Sequence, residues 1–162
     1  MPGIAYLAVR RHGITDKNNM RLFSNLTGEW KGSFSYGPEY SELQGKCVDF
    51  KLVLEDDNGS LTGTSIDSET KDVFTDQIIV QGFWDSETIS FTIQYPCPYY
   101  VGENDKIIID KTGEPHSVTY TGFYDKIADC FLGEWEIIVD SQKIGDGWVD
   151  NSLTGMWRME RA

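Results

Sequence analysis

From Thr27 almost to the C-terminus the sequence repeats with a period of two. Trp30, Phe34 and Tyr36 fall on one side of the first run, with Gly32 between them, and Glu29, Lys31, Ser33 and Ser35 fall on the other. Val48, Phe50, Leu52 and Leu54 then alternate with more polar positions, and Ile89, Phe91, Ile93 and Tyr95 alternate with Thr88, Ser90, Thr92 and Gln94. Later runs place Val118, Tyr120, Gly122 and Tyr124 together, then Phe131, Gly133, Trp135, Ile137 and Val139, then Leu153, Gly155, Trp157 and Met159. Successive side chains of a strand point to opposite faces, so each run reads as a half-buried strand.

Adding a strand over residues 61–67 and another over 73–84 gives eight, with KIIID at 106–110 as a candidate ninth. Asn58-Gly59 is a hairpin signal, because both turn residues must accept positive φ. Most connections are short and no helix-length pattern separates the runs, which favours antiparallel neighbours. A meander of this kind must hide its edges, and closing into a barrel does so completely. The expected fold is therefore an all-β, antiparallel up-and-down barrel of 8–10 strands. A two-sheet sandwich stays open as the alternative, since alternation fits both. Residues 1–25 lack the pattern and form a flanking segment, with a short helix expected at 15–23; residues 26–162 form the barrel domain.

The chain has 162 residues, 40% of them hydrophobic and 13% aromatic, enough for one domain with a substantial core. Its formal net charge of −12 argues against nucleic acid, whose binding rests on Lys and Arg neutralising phosphates. No stretch approaches the ~20 apolar residues of a membrane-spanning helix. The N-terminal apolar run, Ile4 to Val9, precedes its arginines, unlike a secretory signal. With an odd set of three cysteines, Cys47, Cys97 and Cys130, the expectation is a cytoplasmic protein with free thiols.

Five Gly-x-aromatic units recur: Gly28-Glu-Trp30, Gly82-Phe-Trp84, Gly122-Phe-Tyr124, Gly133-Glu-Trp135 and Gly155-Met-Trp157. In a strand, positions two apart share a face, so each glycine leaves a gap beside a large ring. Rings of neighbouring strands would cover those gaps in a filled core. Alternatively, the rings line a cavity for an apolar or planar guest. On that second reading Trp84, Tyr95, Tyr124 and Trp135 are the lining candidates.

The Gly-x-Trp that opens the first strand resembles the entry signature of the calycin barrels, the superfamily of lipocalins, fatty-acid-binding proteins and avidins. LTGEW at 26–30, SVTYTGFYD at 117–125 and a final strand bearing a tryptophan are similar to avidins. In lipocalins that first tryptophan sits at the closed end beneath an arginine from late in the chain. The resemblance thus implies a lock formed by Trp30 with Arg158 or Arg161. Arg158 lies on the opposite strand face from Trp157, whereas Arg161 would fold back from beyond the strand. The resemblance implies a fold type and no particular ligand.

YPCPYYVGEN, residues 95–104, opens the longest irregular stretch. As a lid it would place Cys97, Tyr99 and Tyr100 at the barrel mouth; otherwise its tyrosines pack on the barrel wall. No HExxH or GxSxG motif is present, and Cys97 has no basic neighbour in the local sequence to activate it. The acidic turns at 55–58 and 67–72 lack EF-hand spacing and read as solvated, as do Glu134 and Glu136. No metal or cofactor is expected, and catalysis has no visible motif. The leading expectation is non-enzymatic binding of a small apolar or aromatic ligand inside the barrel. The alternative is a filled barrel acting as a protein-interaction module. An enzyme at the barrel mouth would need a buried polar cluster with strongly shifted pKa values.

Overall fold

A computed structural model of the protein describes residues 23–162. The expected helix at 15–23 and nearly all of the 1–25 segment lie outside the described residues. Ten strands follow in order: β1 Gly28–Tyr36, β2 Cys47–Asp57, β3 Ser60–Asp67, β4 Ile78–Asp85, β5 Thr88–Tyr95, β6 Tyr99–Val101, β7 Ile107–Ile109, β8 His116–Asp125, β9 Cys130–Ile144 and β10 Gly147–Arg161. Eight of them close a barrel in the order β1-β10-β9-β8-β5-β4-β3-β2. Each neighbour pair is antiparallel, and β1 pairs with both β2 and β10, which rules out an open sandwich.

The candidate ninth strand forms, but outside the barrel. β7 pairs only with β6, in a two-stranded ribbon inserted between β5 and β8. The fourth strand starts at Ile78 instead of residue 73. Val73 and Phe74 instead belong to a turn whose amides donate to the Thr70 carbonyl at 3.0 and 3.2 Å. β9 and β10 also run well past the barrel as a hairpin, with a register shift at Asn151/Ser152 that leaves Val139 without a direct partner.

Parity places the large rings inside. Trp30, Phe34, Phe50, Phe91, Tyr120, Phe131, Trp135 and Trp157 are all buried. Two indoles cross the seam between β9 and β10 reciprocally: Trp135 stands opposite Gly155, and Trp157 stands opposite Gly133. Each ring crosses its partner strand and reaches one strand further: Trp135 lies against Gly155, and the far edge of the Trp157 ring lies against Gly122 on β8. Trp135 Nε1 donates to Ser35 O on β1 at 2.9 Å. Trp157 Nε1 lies 3.1 Å from Thr121 O on β8 and 3.0 Å from Glu134 O. A methyl group at Gly155 would sit 2.4 Å from the Trp135 indole, so only glycine admits the ring. The buried indole nitrogens thus gain partners that a packed interior otherwise denies them.

The two barrel ends differ. Tight turns at 58–59, 86–87 and 126–129 close one end, and the longer connections 37–46, 68–77 and 96–115 surround the other. At the closed end Trp30 is 1% exposed and donates from Nε1 to Leu26 O at 2.9 Å. Arg161 faces Trp30 directly across the β1–β10 pair, so it belongs to the strand and shares its inward parity with Trp157 and Met159. Its guanidinium carbon lies 4.8 Å from the Trp30 ring centroid, and it donates to Thr27 O at 3.0 Å and Asn25 O at 2.7 Å. Arg158 is exposed on the outer face opposite Ser33 and makes no contact with Trp30 of this kind.

Two outcomes follow for stability. Gly155→Ala should cost about 1–3 kcal/mol or more through overpacking against the indole, read from the urea midpoint, whereas Gly147→Ala, with no atom closer than 3.8 Å, should be close to neutral. Arg161→Ala should cost about 1–2 kcal/mol, combining an exposed cation–π contact with two lost hydrogen bonds. Arg158→Ala should stay within about 0.5 kcal/mol; equal losses for the two arginines would contradict this assignment.

Candidate functional site

The long connections enclose a cavity of about 520 Å³ at the open end. Its floor and walls come from inward positions of four barrel strands: Phe34 and Tyr36 on β1, Tyr95 on β5, Val118 and Tyr120 on β8, and Trp135 and Ile137 on β9. Tyr40 and Leu43, from a 3-10 turn at Pro38–Leu43, close one side. Pro98, Tyr99, Tyr100 and Val101 close another. Deeper in the barrel, Phe91 stacks on Tyr120 at 4.9 Å between ring centroids, and Trp157 meets both rings edge-on. That layer separates the cavity from the closed end.

Of the four lining candidates, Tyr95 and Trp135 line this cavity, and Trp84 and Tyr124 do not. The latter two face inward as parity requires, but they sit at the closed end. Trp84 Nε1 donates to Asp56 Oδ2 at 2.6 Å, and the Tyr124 hydroxyl donates to Asp129. Tyr99 and Tyr100 stand at the mouth; Tyr99 packs against Tyr95 while Tyr100 is 59% exposed. Cys97 is buried beneath the same loop, and all three cysteines are unpaired.

One acidic turn is not solvated. Asp67 is 2% exposed because it shares the inward parity of Leu61 at the open end of β3. Its carboxylate accepts from Glu69 N at 3.0 Å, Thr70 N at 2.7 Å, Thr70 Oγ1 at 2.8 Å and the Tyr95 hydroxyl at 3.1 Å. Four donors satisfy a buried carboxylate that would otherwise be costly, yet none of them carries charge. Glu69, with a side chain 3% exposed, accepts from the hydroxyls of Tyr36 and Tyr99, the latter at 3.2 Å, and pairs with Lys46 Nζ at 3.3 Å. The other acidic turn is structural as well: Asp56 accepts from Leu26 N and Gly59 N, both at 2.8 Å.

Tyrosine thus separates the cavity from two buried carboxylates. Burial raises the pKa of Tyr36, Tyr95 and Tyr99, and the neighbouring carboxylates add to the effect. Burial likewise raises Tyr120, with Asp67 contributing next. These phenols stay protonated at neutral pH, so they exchange hydrogen bonds and do not serve as bases. Among the described residues, the hydroxyls of Tyr120 and Tyr40 have no hydrogen-bond partner although both side chains line the cavity. His116 stacks on Tyr95 at 5.4 Å, with its Nδ1 buried and unpartnered among the described residues. No group of three metal-ligating side chains occurs among the described residues, and no helix there is long and apolar enough to cross a membrane.

The fold and this site define a closed antiparallel up-and-down barrel with a filled middle and an aromatic cavity at one end. No family profile matches the sequence, and no curated protein matches it. Among solved structures it is similar to rhizavidin, at 12% identity over 82% of this chain and 83% of that one, with a TM-score of 0.39. It is also similar to apo shwanavidin, at 15% identity over 85% of this chain and 98% of that one, with a TM-score of 0.40. The architecture itself is established by the strand pairing of this chain.

His116 supplies a pH test of the site. Burial pushes its imidazole below the ordinary value, and the Cys97 backbone pulls the other way. The unfolded chain therefore takes up this proton first as pH falls. Stability from neutral His116 should be full above about pH 6.5 and decline as pH drops from there towards the lowered folded value. Urea midpoints at about pH 7.5 and about pH 5.5 should differ less in His116→Phe than in the parent; an unchanged difference would contradict the assignment.

Proposed function

We propose that the open-end cavity binds one small, largely apolar or aromatic molecule and performs no chemistry on it. The observation that carries this reading is a cavity of about 520 Å³ walled by aromatic rings, with two unpartnered phenols at hand. Binding pockets commonly span ~300–1,000 Å³, with apolar walls and a few convergent polar groups that fix orientation. The rings supply contact area, and the phenols supply the orienting hydrogen bonds.

A second reading, a protein-interaction surface, has its own support in the β9–β10 hairpin beyond the barrel. Val139, Ile144, Trp148 and Val149 are each 48% to 69% exposed there. They are spread over both faces of the ribbon and form no single patch of the kind that marks an interface. The cavity reading is therefore the stronger.

N-phenyl-1-naphthylamine, a neutral fluorescent probe, should bind saturably with one site per chain and quench Trp135. Val118→Trp, which fills the cavity from β8, should weaken binding by about tenfold or more while leaving the far-ultraviolet circular dichroism unchanged. Non-saturable binding, or binding indifferent to the filled cavity, would refute the proposal.

A further inference from the structure

The two carboxylates buried beside the cavity outnumber the cations there. Asp67 is a buried carboxylate with only neutral hydrogen-bond donors, and Glu69 shares the Lys46 ammonium with Asp105, which lies 3.1 Å from Lys46 Nζ. The mouth therefore carries excess negative charge in a region poor in water, where charge interactions are weakly screened. Tyr95 and Tyr99 project this charge into the cavity. A phenol that donates a hydrogen bond to a carboxylate gains electron density at oxygen and ring, and so presents a more negative π face. The formal charge of −12 adds a long-range attraction for cations.

The same wall restricts which cations fit. It is chiefly aromatic and aliphatic, and its side-chain atoms without a hydrogen-bond partner among the described residues are the phenol oxygens of Tyr40 and Tyr120 and Nδ1 of His116, while the free Glu69 Oε2 lies outside the lining and faces Lys46. Tyr120 is 2% exposed, so its free hydroxyl can meet only what enters the cavity. A primary ammonium brings three N–H donors, each costly to leave unmatched. A fully alkylated ammonium brings none, spreads its charge over methyl groups and is suited to aromatic faces.

We infer that the cavity selects organic cations bearing an alkylated ammonium, held between the rings of Tyr36, Tyr95, Tyr99 and Trp135 and drawn in by the carboxylates of Asp67 and Glu69. This inference rests on the binding role proposed above and specifies its ligand class. The bulk of the guest remains apolar, and its positive charge lies towards Tyr95, whose hydroxyl is bonded to Asp67.

Calorimetric titration with phenyltrimethylammonium and with its neutral isostere tert-butylbenzene tests the inference. The cation should bind about tenfold or more tightly than the isostere, and benzylammonium should fall between them. Glu69→Gln, which keeps an acceptor for Tyr36 and Tyr99, should reduce that preference to about threefold or less; cation and isostere are measured on the same variant, so a general change in the cavity cancels in their ratio. Lys46→Gln, altering a partly exposed side chain, should raise the preference and keeps the charge test available if the Glu69 variant does not fold. Equal or tighter binding of tert-butylbenzene would overturn the cation inference and leave the binding role standing. Failure of the cation, the isostere and the naphthylamine together would overturn both.

Discussion

The reciprocal placement of Trp135 opposite Gly155 and Trp157 opposite Gly133 is the arrangement on which the rest of the barrel depends. Each indole spans three strands: its own, the glycine strand beneath it, and a third that receives its N–H. Trp135 links β9 across β10 to β1, and so bridges the place where the barrel closes. A sheet of this length would otherwise expose an unpaired edge on each terminal strand. Glycine matters here for close approach, because any side chain at Gly155 would lift the indole away from Ser35 O.

That layer also explains why the two barrel ends have different characters. With Phe91, Tyr120 and Trp157 filling the middle, no continuous channel runs through the barrel. Below the layer, short turns bring Trp30, Tyr124 and Phe131 together under Arg161, and inward tryptophans such as Trp84 become anchors for polar turn residues. Above it, the strands splay into long connections that cannot fill the space between them. The cavity is what remains where ring packing stops and the loops do not descend.

Much of this was legible in the alternation. Parity alone puts Phe34, Tyr36, Tyr95, Tyr120 and Trp135 inside, and the Gly-x-aromatic spacing pointed to rings covering glycine gaps. What parity lacks is height along the barrel axis, which depends on register and shear. Trp84 and Tyr124 therefore looked equivalent to Tyr95 and Trp135, although the former pair lies at the closed end. Residue type misled at Asp67, whose inward position was readable from Leu61 but whose charge suggested solvent. Tyr40 and Leu43 come from a 3-10 turn with no period, and the long β9–β10 hairpin is hidden by polar residues and a register shift.

The width of the mouth follows from how a buried acid is satisfied. Asp67 ends β3 inside the barrel, so its carboxylate needs donors within reach, and the chain supplies them by turning at once. That tight turn delivers Glu69 two residues later to a buried position beside the mouth. Glu69 then holds two hydroxyls that arrive from different elements, Tyr36 from β1 and Tyr99 from the β6–β7 ribbon. The ribbon is thereby tied to the barrel wall through Glu69, with Asp105 between its strands adding an ion pair to Lys46, and cannot settle deeper without losing the Tyr99 hydrogen bond. An apolar residue at position 69 would remove that tie and let the aromatic loop pack down onto Tyr95 and Tyr120. The buried carboxylates thus do two jobs, since the hydrogen bonds that make their burial tolerable also hold the cavity open.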